Sequence, residues 1–211
     1  MKHVLCFGDS NTWGAAPMAH LEDRRRFGLE QRWPGILRGR LGPGWHVIEE
    51  GLPGRTTGHD DPVEGVERNA LRYLLPCLNS HKPLDAVVLK LGTNDLKARF
   101  GLAPAQIANG LHALVELINA NSRLDAQLPT LLIVCPAPIL EVGCLAPMFV
   151  GGAAKSVLLA ERYRAIAQPR GALFLDAGTI IASSPIDGIH LDEAAHAELG
   201  RAIAEILCEA L

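Results

Sequence analysis

The sequence of 211 residues is poor in several features that would mark other classes of protein. It has no excess of positive charge: 20 Lys and Arg stand against 23 Asp and Glu, a formal net charge of -3. That balance gives no electrostatic reason to bind nucleic acid or an anionic membrane, and neither partner is expected. Cysteine is sparse and unpatterned. Cys6, Cys77, Cys135, Cys144 and Cys208 are odd in number, widely spaced, and form no C-x-x-C. A disulfide framework or a zinc site would look different, so free thiols and no metal are expected. Cys6 and Cys135 lie inside apolar runs and read as buried thiols. The chain opens with no basic segment and long apolar stretch, and no run reaches membrane-spanning length. This predicts no leader, no membrane span and a cytoplasmic protein. Repeats and low-complexity tracts are missing too. The length fits one domain over residues 1–211 with a single sizeable core.

What is present is an alternation of short apolar runs with longer helical patterns. His3 to Phe7, Trp45 to Glu50, Asp85 to Leu91, Thr130 to Cys135 and Ala172 to Leu175 read as strands. Three of them are apolar without alternation, as a parallel sheet covered on both faces requires. Helices are expected over Arg32 to Leu41, Val66 to Leu78, Pro104 to Asn121, Gly152 to Ala167 and Asp192 to Leu211. Pro104 suits a first helical position, and Asp192 suits an N-cap. The order βαβαβαβαβα predicts an α/β three-layer sandwich with right-handed crossovers. In such folds ligands sit at the carboxyl ends of the strands, so the residues there matter most.

The first strand runs into Gly8-Asp9-Ser10-Asn11-Thr12-Trp13-Gly14, which either exposes Ser10 as a nucleophile or uses it as a helix N-cap. The second ends in Gly51-Leu52-Pro53-Gly54-Arg55, whose glycines leave backbone N–H groups bare to an anion or make a plain turn. The third ends in Leu91-Gly92-Thr93-Asn94-Asp95. Asn94 offers an amide donor there, or closes the strand as an Asx-turn. Far downstream, Asp187 precedes His190 by three residues, a spacing that lets a carboxylate fix the imidazole tautomer. A surface pair fits the same spacing.

Together these segments resemble the SGNH hydrolases, also called GDSL esterases. The matching segments are Gly8-Asp9-Ser10, the glycine before Arg55-Thr56-Thr57, Gly92-Thr93-Asn94-Asp95 and Asp187-Gly188-Ile189-His190. The wording is most similar to a bacterial arylesterase–acyltransferase branch. Asn11 departs from the leucine that gives the GDSL motif its last letter. The resemblance implies a flavodoxin-like five-stranded parallel sheet and a serine esterase acting on small acyl esters, with possible transfer of the acyl group to alcohols. It implies Ser10 as nucleophile, His190 as base and Asp187 as the residue orienting it. The oxyanion would be held by the Ser10 and Gly54 backbone N–H groups and the Asn94 side chain. Trp13, Phe149 and Ile189 would lie beside the acyl group. No cofactor is implied, the partner is a small-molecule ester, and relatives suggest a homo-oligomer. The apolar loop Pro136 to Phe149 reads either as a contact surface between copies or as a lid.

Other readings use the same residues differently. A non-catalytic flavodoxin-like binding module would place a ligand at the same strand ends without needing Asp187 or His190. The chain has no G-x-S-x-G elbow, and Gly151 to Ser156 lacks phosphate-loop spacing. His59, Asp60 and Asp61, and Asp192 with His196, complete no ligand set and read as solvated polar positions.

Overall fold

A computed structural model of the chain describes residues 1–122 and 128–211. Five parallel strands form one sheet: β1 (Lys2–Gly8), β2 (Trp45–Gly51), β3 (Ala86–Lys90), β4 (Thr130–Cys135) and β5 (Leu173–Asp176). Their order across the sheet is β2-β1-β3-β4-β5. This is the expected α/β sandwich, and its strand order reverses beside β1.

Helices cover both faces. The main ones are α1 (Ser10–Trp13), α2 (Trp33–Leu41), α3 (Ala70–His81), α4 (Pro104–Ser122), α5 (Gly152–Ser156), α6 (Leu159–Ala167) and α7 (Glu193–Ala210). Leu5, Phe7, Val87, Leu89 and Ile133 pack with Leu74, Ile107, Leu111 and Tyr163 on the face of α3, α4 and α6. Val4, Cys6, Val88, Leu132 and Val134 pack with Leu37, Leu199 and Ile203 on the face of α2 and α7. Each central strand therefore buries both its odd and even side chains, which explains why its sequence does not alternate. Cys6 and Cys135 are buried free thiols, as expected.

Two helices differ from expectation. The segment starting at Val66 is only a 3-10 turn to Arg68, and α3 begins at Ala70. Asn69 caps α3 by accepting from the Leu71 N–H, which sets the start four residues later than periodicity suggests. The expected helix from Gly152 to Ala167 breaks after Ser156. The Ser156 hydroxyl donates to the Ala153 carbonyl and accepts from the Ile139 N–H, diverting the chain toward the preceding loop. At the other end, α7 starts as expected, with the Asp192 side chain accepting from Ala195 N–H at 2.8 Å. Among the described residues no helix is long and apolar enough to cross a membrane.

Candidate active site

The ends of β1, β2 and β3 converge where the strand order reverses. Ser10 opens α1, directly after β1, and Asp9 rather than Ser10 is the cap: its carboxylate accepts from the Asn11 N–H. The short helix lies very close to the sheet. A Cβ on Gly51 would stand 2.2 Å from the Trp13 nitrogen, and one on Gly8 would stand 2.1 Å from the Thr12 hydroxyl. Glycine at both positions is thus what lets the serine turn sit down on two adjacent strand ends.

Asp187 and His190 arrive from the loop before α7. Asp187 is fully buried, and its Oδ2 lies 2.6 Å from His190 Nδ1. Oδ2 also accepts from Met18 N–H at 2.7 Å, while Oδ1 accepts from the N–H groups of Ile189 and His190 at 3.0 and 2.9 Å. Burial by itself would raise the carboxyl, but the hydrogen bonds from His190, Met18 and Ile189 outweigh it and hold its pKa below the ordinary value. An ionised carboxylate on Nδ1 leaves Nε2 as the ring nitrogen able to take a proton.

The N–H groups expected to hold an oxyanion lie along the same cleft. Among the described residues neither the Ser10 nor the Gly54 backbone N–H donates to another group. One N–H of the Asn94 amide is spent on the Arg55 carbonyl at 3.1 Å, which orients the amide and leaves its second N–H available. Asp95 secures this arrangement by accepting from the Thr57 N–H and, at 2.6 Å, from its hydroxyl, tying the β3 end to the β2 end. Ser10, Gly54, Asn94 and His190 all line one cleft of about 440 Å³, and Trp13, Phe149 and Ile189 form part of its wall.

The profile of the GDSL-like lipase/acylhydrolase family matches residues 6–198. The chain belongs to that family. Among solved structures, a carbohydrate acetylesterase from Sinorhizobium meliloti is 40% identical over the whole of both chains, with a TM-score of 0.94. An M. smegmatis aryl esterase has the same identity, coverage and TM-score. A lipase/acylhydrolase from Enterococcus faecalis shares the fold at 17% identity and TM-score 0.70, over 100% of this chain and 97% of its own. No curated protein matches at a significant level.

The structure gives several residues of this GDSL-family chain surroundings that their sequence reading did not contain. Asn11, the departure from the motif, is buried, and its side chain accepts from Leu191 N–H at 2.9 Å and donates to the Ile189 carbonyl at 3.1 Å. It therefore joins the turn that carries Ser10 to the backbone on both sides of His190. Asp61 and His196 are buried rather than solvated. Asp61 is paired with Arg99 and, at 3.6 Å, with Lys97, because the loop carrying it folds back over the β3 end. Of the loop Pro136 to Phe149, Ile139, Leu145 and Phe149 are buried, whereas Leu140 and Val142 face outward.

One cluster outside the cleft has metal-ligating atoms. Glu50, Cys77 and His81 bring a carboxylate, a thiol and an imidazole within 4.8 Å. Burial, followed by the Glu50 charge, pushes the thiol up to about 12, and Glu50 already holds His81 at 3.0 Å. A protonated thiol and a committed carboxylate fit a hydrogen-bond hub better than a metal site.

Proposed function

We propose that residues 1–211 act as one catalytic unit, a serine esterase that cleaves small acyl esters through an acyl-enzyme. The observation that carries this reading is the buried Asp187–His190 pair opening into the cleft that also holds Ser10 and Asn94. Ser10 Oγ attacks the ester carbonyl while its proton passes to His190 Nε2. The carbonyl oxygen becomes an oxyanion held by the Ser10 and Gly54 N–H groups and the Asn94 amide. Removing one such donor typically costs roughly 3–4 kcal/mol of transition-state stabilisation. Collapse of the intermediate breaks the bond to the alcohol oxygen, which leaves with the proton from Nε2. Water, deprotonated by the same nitrogen, then releases the acid.

The substrate class is supported by the relatives, arylesterases and a carbohydrate acetylesterase, and by the apolar wall of Trp13, Phe149 and Ile189, which suits a short acyl chain. Leu145 and Met148 extend that wall, an environment in which an alcohol competes with water for the acyl-enzyme. Acyl transfer is accordingly proposed as a second outcome of the same intermediate. Leu140 and Val142 on the outer side of the loop support assembly into a homo-oligomer.

A fluorophosphonate probe tests the core of the proposal. Stoichiometric labelling at Ser10, with parallel loss of phenyl acetate hydrolysis, is expected. An unlabelled protein without hydrolysis would favour the flavodoxin-like binding module instead.

A further inference from the structure

Beside the glycine that supplies an oxyanion donor stands a second carboxylate that the esterase chemistry does not use. Glu64 lines the cleft together with Ser10, Gly54 and His190. Its Oε2 lies so close to Gly54 that a Cβ on that glycine would meet it at 2.2 Å. Gly54 also has φ 81, a left-handed backbone conformation that favours glycine there.

The two oxygens of Glu64 differ. Oε1 accepts from Lys97 Nζ and from Arg99, both at 2.5 Å. Oε2 accepts no hydrogen bond from the described residues. Burial pushes the carboxyl up, but Lys97 and then Arg99 outweigh it, and the group stays below its ordinary pKa. The side chain is thus ionised, anchored on one oxygen, and open on the other. An ionised oxygen beside an oxyanion opposes the reaction unless the charge is compensated. Lys97 and Arg99 supply that compensation, and an acceptor facing the cleft calls for a donor from the substrate.

We propose that Glu64 is a specificity-determining residue that accepts a hydrogen bond from a hydroxyl on the alcohol half of the ester. This rests on the esterase reading above and narrows its substrate class to esters of polyols that keep a free hydroxyl next to the acylated oxygen. The acyl half is read by Trp13, Phe149 and Ile189, and the alcohol half by Glu64.

The probes are 2-hydroxyethyl acetate and 2-methoxyethyl acetate, which differ in whether the second oxygen can donate. The wild-type kcat/KM is expected to favour the hydroxyl ester by about tenfold, the scale of one charge-assisted hydrogen bond. In Glu64→Gln the amide oxygen keeps Lys97 and Arg99 while an N–H₂ faces the cleft. That group donates, so the preference is expected to vanish or invert toward the methoxy ester. A wild-type ratio near one overturns the proposal without help from any variant. A ratio unchanged in a folded Glu64→Gln shows that Glu64 only anchors Lys97 and Arg99, and overturns it too. Phenyl acetate separates the two levels of the argument. If it is hydrolysed while the hydroxyl preference is missing, only this inference fails; if it is not hydrolysed, the esterase reading fails and takes this one with it.

Discussion

Two buried histidines, His190 and His196, stand six residues apart at the entrance to α7 and have opposite chemistry. His190 has a buried carboxylate 2.6 Å from Nδ1. His196 has none. Its Nδ1 accepts from Trp33 N–H at 3.3 Å, the Phe27 ring packs edge-on at 5.2 Å, and Nε2 has no hydrogen-bond partner among the described residues. Burial, reinforced by the positive charge of Lys90, pushes its pKa down to about 3. Burial alone makes an imidazole neutral and inert. A buried carboxylate on one nitrogen is what allows the other to accept a proton and carry the charge.

The sharpest way to break this comparison is to remove the chemistry on one side of it. Ser10→Ala and His190→Ala are each expected to lower kcat for phenyl acetate by about 10⁶-fold, as for nucleophile and base in comparable triads. Residual activity above about a thousandth of wild type would reassign the nucleophile or base. Removing the partner is the next largest step. Asp187→Asn keeps the shape but offers Nδ1 the wrong tautomer, with an expected loss of about 10⁴-fold in kcat. If kcat at neutral pH stays within tenfold, the carboxylate is not what separates the two histidines.

Asn11 sharpens the comparison because it grips the backbone around His190 and not around His196. Asn11→Ala leaves the Leu191 N–H and the Ile189 carbonyl without their partner. A buried unpaired group costs about 1–3 kcal/mol, and a displaced catalytic ring can lose up to about a hundredfold in rate. Both Tm and kcat are expected to fall. A lower Tm with wild-type kcat would make the clamp a matter of stability alone.

The smallest effect on activity is expected on the other side. His196→Leu strips the Trp33 N–H of its acceptor, so stability should fall by about 1–3 kcal/mol while kcat/KM holds within about threefold. The pH dependence has a definite sign. Above pH 6.5 this imidazole is neutral whether folded or unfolded. Between 6.5 and about 3 the unfolded chain takes up a proton that the folded chain refuses, so stability declines as pH falls through that window. Thermal melts from pH 7 to 4 should show a shallower decline in His196→Leu than in wild type. Parallel slopes would show that His196 titrates normally in the folded protein.

How much of this was legible in the sequence depends on the range of the interaction. The strands of the central sheet could be read because a chain buried on both faces must be continuously apolar, and the start of α7 because a cap acts within four residues. Asp187 and His190 could be paired for the same reason, at a separation of three. The burial of His196, which the sequence reads as a solvated position, could not be read. Both histidines lie beside the same helix start, and the packing of Phe27 and Trp33 that buries His196 away from any carboxylate comes from distant parts of the chain.

The amino-acid sequence by itself determined the alternation of strands and helices, the order of the reactive segments along the strand ends, and the local carboxylate–imidazole pair. Tertiary structure alone decided that Asn11 would brace residues 178 and 180 positions away, that Met18 would cap Asp187, and that Glu64 would stand over Gly54 with one oxygen tied and one free. Local hydrogen bonds and periodic burial act over a few residues and leave a pattern in the chain. Contacts between distant loops exist only after the sheet has brought its strand ends together, so no local pattern records them.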